Sequence, residues 1–162
     1  SADMAARKAI LVSCGSFNPP TLAHLRMMEL AYDHLRSLPT PYTIVEGIFS
    51  PVSSAYVHKP LAGDEHRLNM IKKATESSIW LRGDDWEMSK GEWSRTRQVL
   101  QHFRTTVRRQ LKDDTVSCML VCGGDLVDSF KRILPDGRRL WSLEDIKAIV
   151  EDYGIVVISR YG

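Results

Sequence analysis

The sequence predicts an α/β chain built on a mostly parallel sheet with helices on both faces. Short apolar runs alternate with longer segments whose apolar residues recur every three or four positions. The runs KAILVSC (8–14) and TVSCMLVC (115–122) are nearly continuous rather than alternating, as strands buried on both faces require. Turn residues close each of them, Gly15 after the first and Gly123-Gly124 after the second.

Taken in order, the first strand (8–14) meets the turn-rich stretch Gly15-Ser16-Phe17-Asn18-Pro19-Pro20. Thr21 then opens a helix to about residue 36, with a stripe of Leu22, Leu25, Met28, Tyr32 and Leu35. Pro39-Thr40-Pro41 stops it, and a second strand (42–49) ends at Ser50-Pro51. A helix over 64–75 precedes a short strand (79–82). A longer helix over 93–111 repeats Val99, Phe103, Val107 and Leu111 every four residues, and its Arg104, Arg108, Arg109 and Lys112 read as a solvated face. The strand 115–122 runs into Gly123-Gly124-Asp125. Ser142, with Glu144 and Asp145 near the positive helix end, starts a helix over 142–152. A last strand (154–159) is followed at once by Arg160.

A length of 162 residues predicts a single domain over 1–162, with residues 1–7 a short leader or expression remnant. Hydrophobic residues at 43% and charged residues at 26% exclude a disordered chain. A net charge of +2 argues against a nucleic-acid partner. No apolar run approaches the ~18 residues of a membrane span, and the first residues do not read as a secretion signal. The expected location is therefore intracellular, cytoplasmic or nuclear. Cys14, Cys118 and Cys122, an odd number, fit small buried hydrophobes better than disulfides or a metal site.

Ligands in open parallel sheets bind outside the carboxyl ends of the strands. That rule singles out Gly15 to His24, Gly123 to Asp125, and Arg160. Gly15 allows a sharp turn and close approach to its amides. Pro19, Pro20 and Thr21 launch a helix whose free N–H groups favour an anion, and His24 falls in its first turn, where the dipole keeps the imidazole neutral unless a phosphate is bound. The plainer alternative is a strand-to-helix turn with one surface histidine. Neither G-x-x-x-x-G-K-[ST] nor G-x-G-x-x-G occurs, which removes the two commonest phosphate-binding loops.

Gly15-Ser16-Phe17-Asn18-Pro19 followed by Thr21-x-x-His24 resembles the signature of the nucleotidylyltransferase superfamily, and GSFNPPTLAHLRMMELA is similar to the eukaryotic nicotinamide/nicotinate mononucleotide adenylyltransferases. Further segments agree in order: Ser50-Pro51-Val52-x-x-Ala55-Tyr56, Trp86-Glu87 with Glu92-Trp93-x-x-Thr96, Leu120-x-Cys122-Gly123-x-Asp125, Leu140-Trp141-Ser142-x-Glu144-Asp145-Ile146, and the end from Tyr153-Gly154-Ile155 to Ser159-Arg160. The resemblance implies a Rossmann-like fold and adenylyl transfer from ATP to nicotinamide mononucleotide, or its nicotinic acid counterpart, giving NAD or deamido-NAD and pyrophosphate. It implies that Gly15, Ser16 and Phe17 line the nucleotide through backbone groups and that His24, the catalytic candidate, binds the ATP phosphates. Trp93, Thr96, Leu140 and Trp141 would form the nicotinamide pocket, Gly123 and Asp125 would meet the adenylate ribose, and Arg160 the adenosine side. Tyr56 and a basic residue after it would contact the nucleotide; where the family has a lysine run this chain reads Tyr56-Val57-His58-Lys59, so the phosphate contact falls on His58 or Lys59.

Each role has an ordinary rival: core tryptophans for Trp93 and Trp141, a helix cap for Asp125, a solvated charge for Arg160. Mg²⁺ is expected to be held by the ATP phosphates and water. A dianionic mononucleotide phosphate needs no general base, so catalysis rests on alignment and charge neutralisation. The family's later Ile-Ser-Ser-Thr-x-x-Arg segment has no counterpart here. Either the 162 residues are a fragment of a longer protein or a natural variant lacks the last sheet and helix elements; both predict a sheet truncated at its C-terminal side, a poor catalyst, and uncovered apolar surface favouring a homo-oligomer or association with another segment. The competing class is a non-catalytic nucleotide-binding or chaperone-like module.

Overall fold

A computed structural model describes residues 7–54, 62–90 and 92–159. Its five strands, β1 (Arg7–Gly15), β2 (Tyr42–Pro51), β3 (Leu81–Gly83), β4 (Ser117–Gly123) and β5 (Ile155–Ile158), form one sheet in the order β3-β2-β1-β4-β5. Every neighbouring pair is parallel. The helices are α1 (Leu22–Arg36), α2 (Asp64–Thr75), α3 (Trp86–Ser89), α4 (Thr96–Leu111), α5 (Gly124–Asp128) and α6 (Leu143–Ala148). A 3-10 turn at Ser129–Lys131 follows α5, and a π-helical turn at Ile149–Tyr153 continues α6.

Because both faces of a parallel sheet are covered, each strand contributes alternate residues to two cores. Ala9, Leu11, Met119 and Val121 pack with Met28, Ala31, Leu35 and Ile71 of α1 and α2. Ile10, Val12, Cys118 and Leu120 face the other way, onto Val99, Phe103 and Val107 of α4 and Ile149 and Tyr153 of the π turn. The α/β expectation with helices on both faces holds. The strand order reverses between β1 and β4, whose carboxyl ends, Gly15 and Gly123, therefore splay apart into a crevice.

Several boundaries move. Arg7 is part of β1, paired in register with Tyr42, and its guanidinium lies 4.0 Å from the Tyr42 ring centroid, so it is no leader residue. Leu22 is 83% exposed: it precedes the turn of α1 that first meets the sheet, and the buried stripe runs through Met28, Ala31 and Leu35. Ile79 is fully exposed and β3 starts at Leu81, after Ser78 Oγ has accepted the N–H groups of Trp80 and Leu81 in a turn. The long helix starts at Thr96 rather than residue 93, because Arg95 is extended and its N–H donates to Gln98 Oε1 at 2.8 Å. β4 starts at Ser117, and β5 is trimmed to four residues by Gly154, whose φ of 114° only glycine adopts readily. The four-residue helix α3 was not anticipated, and α5 was foreseen only as a helix that Asp125 would cap.

Candidate active site

The strand ends at the switch point open onto a cavity of about 640 Å³. Cys14 and Gly15 of β1 meet there with Glu87 of α3, Trp93 to Thr96 at the entry of α4, Asp125 and Leu126 of α5, and Arg139 to Ser142 ahead of α6. Of the residues expected from the sequence, the cavity gathers Gly15, Trp93, Thr96, Asp125, Leu140 and Trp141, drawn from four distant parts of the chain.

The two tryptophans are held differently. Trp93 sits in the extended segment before α4 and is 59% exposed, which excludes a core tryptophan. Trp141 is partly buried; its ring stands edge-on to Phe130 with centroids 5.0 Å apart, and its Nε1–H donates to Ser129 Oγ at 2.9 Å. Leu140 N–H donates to Arg132 O at 3.0 Å. The Arg139 guanidinium donates to Phe130 O at 2.8 Å and to Trp141 O at 3.3 Å, bracing the loop that carries Trp141. Below this wall, Asp145 of α6 is buried; Arg97 reaches it at 3.4 Å and Arg95 at 3.5 Å. Its own N–H is capped by Ser142 Oγ at 3.1 Å, the start signal expected for this helix. The Thr96 and Trp141 sides of the cavity are thus joined through one carboxylate.

Gly123 caps α5 and Asp125 lies in the first turn of that helix, so Asp125 is not the cap. A Cβ at Gly123 or Gly124 would meet nothing within 4 Å, which leaves open space for a ligand against this backbone.

The Gly15 to His24 loop is shaped from beneath. Phe17 adopts φ 48°, the left-handed region, and buries its ring edge-on between His24 and Phe49 at 5.0 and 5.4 Å. That leaves its backbone rather than its ring available to a ligand. Thr21 N–H donates to His24 Nδ1 at 2.8 Å, tying the ring to the start of α1. A nitrogen that accepts a backbone N–H carries no proton, so the neutral tautomer has its hydrogen on Nε2. Burial lowers the His24 pKa, as expected for a neutral imidazole there. His24 does not line the 640 Å³ cavity; it stands beside it, across the Gly15–Phe17 turn.

Two features of the site escaped sequence reasoning. Arg67 of α2 is completely buried and donates to Ser16 O (2.7 Å), Val52 O (2.6 Å), Ala62 O (3.0 Å) and Asp64 Oδ1 (2.8 Å), so one guanidinium ties the loops after β1 and β2 to α2. Its spacing in α2 matched only the buried helix face, and nothing in the sequence marked it otherwise. Glu87, quoted within a motif but given no role, is a buried carboxyl on the cavity wall. Its Oε2 accepts the Ser50 hydroxyl at 2.8 Å, and burial raises its pKa to about 7 against that bond. Desolvation also pushes the Cys118 thiol up to about 12 and that of Cys122 to about 11. Tyr56, His58, Lys59 and Arg160 lie outside the described residues. Among the described residues no helix is long and apolar enough to cross a membrane.

Comparison with known proteins agrees with this layout. The cytidylyltransferase-like family model matches residues 12–161. A Caenorhabditis elegans nicotinamide/nicotinic acid mononucleotide adenylyltransferase is 49% identical, covering 96% of this chain and 69% of its own length. The Arabidopsis thaliana enzyme of the same name is 43% identical over 94% of this chain and 62% of its own, and a Bos taurus relative 32% identical over 96% and 66%. The chain thus spans about two thirds of the length of these relatives. The nicotinic acid mononucleotide adenylyltransferase of Plasmodium falciparum, solved in complex with APC, shares the fold with a TM-score of 0.60 at 21% identity, over 94% of this chain and 64% of that one. With its switch-point cavity and these relatives, the chain belongs to the cytidylyltransferase-like family and, within it, to the nicotinamide/nicotinic acid mononucleotide adenylyltransferases.

Proposed function

We infer that the chain transfers the adenylyl group of ATP to nicotinamide mononucleotide or nicotinic acid mononucleotide, forming the dinucleotide and pyrophosphate. The observation that carries this reading is the single cavity in which Trp93, Thr96 and Trp141 face the β1 and β4 ends with Gly15 and Asp125. An electron-poor pyridine ring stacks well on aromatic faces, which suits the exposed Trp93 and the braced Trp141. Asp125 accepts from ribose hydroxyls at the end of β4. The mononucleotide phosphate oxygen attacks the α-phosphorus; the new P–O bond forms as the bond to the β-phosphate breaks, and its electrons leave with pyrophosphate. No side chain has to remove a proton from a dianionic phosphate. His24, neutral and protonated on Nε2, donates to the triphosphate, and the start of α1 adds backbone donors. Tyr56, His58 or Lys59, and Arg160 complete the nucleotide contacts in this reading.

Among the described residues no three His, Cys, Asp or Glu side chains converge on a point that could hold a metal. In this reading Mg²⁺ arrives with the ATP substrate, carried by triphosphate oxygens and water, where it would neutralise charge on the leaving group. The free cysteines support an intracellular chain, cytoplasmic or nuclear. Nucleic acid is not an expected partner at a net charge of +2.

The test is NAD formation from Mg²⁺-ATP and nicotinamide mononucleotide, identified by mass. Trp93→Ala and Trp141→Ala should each weaken mononucleotide affinity roughly ten-fold, the scale of one aromatic stacking pair. Unchanged affinity in both variants would overturn the pyridine assignment. Dinucleotide binding without turnover would instead assign a nucleotide-binding module.

A further inference from the structure

The cavity wall carries one buried carboxyl that the transfer reaction does not use. Glu87 is 6% exposed, and its hydrogen-bond partner is the neutral Ser50 hydroxyl. Among the described residues it makes no ion pair, whereas the other buried carboxylate of the cavity, Asp145, is held by Arg95 and Arg97. The charged and titratable groups around Glu87 come from every side. The Cys14 thiol of β1 feels its charge, and His102 of α4 stacks on the adjacent Trp86 at 4.0 Å. Asp125 and Arg139 share the cavity with it, as does Asp145 with its arginine partners.

The two mononucleotides differ only at the pyridine substituent, a carboxamide in one and a carboxylate in the other. An ionised Glu87 accepts a hydrogen bond from a carboxamide N–H and repels a carboxylate; a protonated Glu87 donates to a carboxylate oxygen. Glu87 is itself 6% exposed, so water screens its charge less than it would at the surface. We propose that Glu87 is the specificity-determining residue between the two substrates, its ionised form favouring the amide and its protonated form the acid. This rests on the adenylyltransferase reading of the same cavity.

The experiment is calorimetric titration of the chain with each mononucleotide between pH 6 and pH 8, scored as the ratio of acid to amide affinity. The phosphate is common to both mononucleotides, so its titration largely drops out of the ratio, and a slope that survives in Glu87→Gln belongs to the other charged groups of the cavity, among them Arg95, Asp125, Arg139 and Asp145. For a group titrating near 7 the protonated fraction falls about ten-fold over this interval while the ionised fraction rises about ten-fold, so the ratio should fall by up to about a hundred-fold. In Glu87→Gln the ratio should be flat. In Ser50→Ala, which removes the bond favouring the ionised carboxyl, the fall should move to higher pH. If both mononucleotides bind and the wild-type ratio is flat, or Glu87→Gln keeps the slope, the inference fails and the adenylyltransferase reading stands. If neither mononucleotide binds at any pH, both fail.

Discussion

Glu87 illustrates how much a single side chain depends on its surroundings. An ordinary glutamate titrates at 4.5, but burial at the end of β2 raises this one to about 7 despite the Ser50 bond. The folded state therefore holds its proton more tightly than the unfolded chain, so stability is greatest below about pH 4.5 for this group and is lost as pH rises toward 7. The loss amounts to about 3 kcal/mol at pH 8. Glu87→Gln removes it, and thermal melts should show the variant gaining stability over wild type at pH 8 and little at pH 4.5. A wild-type melting temperature that rises from pH 5 to 8 relative to the variant would reverse the sign and refute the desolvation account. Nothing in the motif Trp86-Glu87 distinguishes this residue from a surface carboxylate, because desolvation is a property of its neighbours in space.

At the level of elements, periodicity located the long pieces well and their edges less so. β1, β2, β4, α1, α2 and α4 were legible because each has enough residues to repeat a pattern. The short α3 and α5 cannot complete two turns, so no stripe exists to read. The repeat of Val99, Phe103, Val107 and Leu111 marks the body of α4 and says nothing of its start; the run 93–95 lies outside it, where the capping of Arg95 N–H by Gln98 sets the boundary. β2 shows how tightly an element is fitted. A Cβ at Gly47 would come within 2.7 Å of Trp80, 2.8 Å of Leu81 and 2.9 Å of Met28. Gly47→Ala should cost about 1–3 kcal/mol through forced repacking between β2, β3 and α1. Urea denaturation would measure it, and an unchanged midpoint would mean these side chains swing aside freely.

Across the whole molecule, the loops that make the site are held by one buried cation. Arg67 joins Ser16, Val52, Ala62 and Asp64, so the turn after β1, the turn after β2 and the start of α2 move together. Hydrogen bonds from Ser54 and Arg67 outweigh desolvation and hold the Asp64 carboxyl below its usual range. Arg67→Ala would take the guanidinium from three carbonyls and leave Asp64 only its Ser53 and Ser54 donors, at a cost of roughly 3–5 kcal/mol. Arg67→Lys should rescue little, since one ammonium cannot reach four acceptors arranged around a planar fork. Chemical denaturation of both variants checks this, and near-wild-type stability of the lysine variant would show that charge alone suffices.

The sequence by itself determined the alternation of strands and helices, the two-faced burial of the sheet, and the Gly15 to His24 turn, because these follow from local periodicity, turn chemistry and motif spacing. The strand-end rule pointed to Gly15 and Asp125 of the cavity wall, and the family resemblance to Trp93, Thr96, Leu140 and Trp141. Only the tertiary structure decided that Trp93 is exposed while Trp141 is braced, that His24 stands beside the cavity rather than in it, and that Arg67 and Glu87 matter at all. Exposure, cavity lining and proton affinity come from contacts between segments far apart in the chain, and no local pattern encodes them.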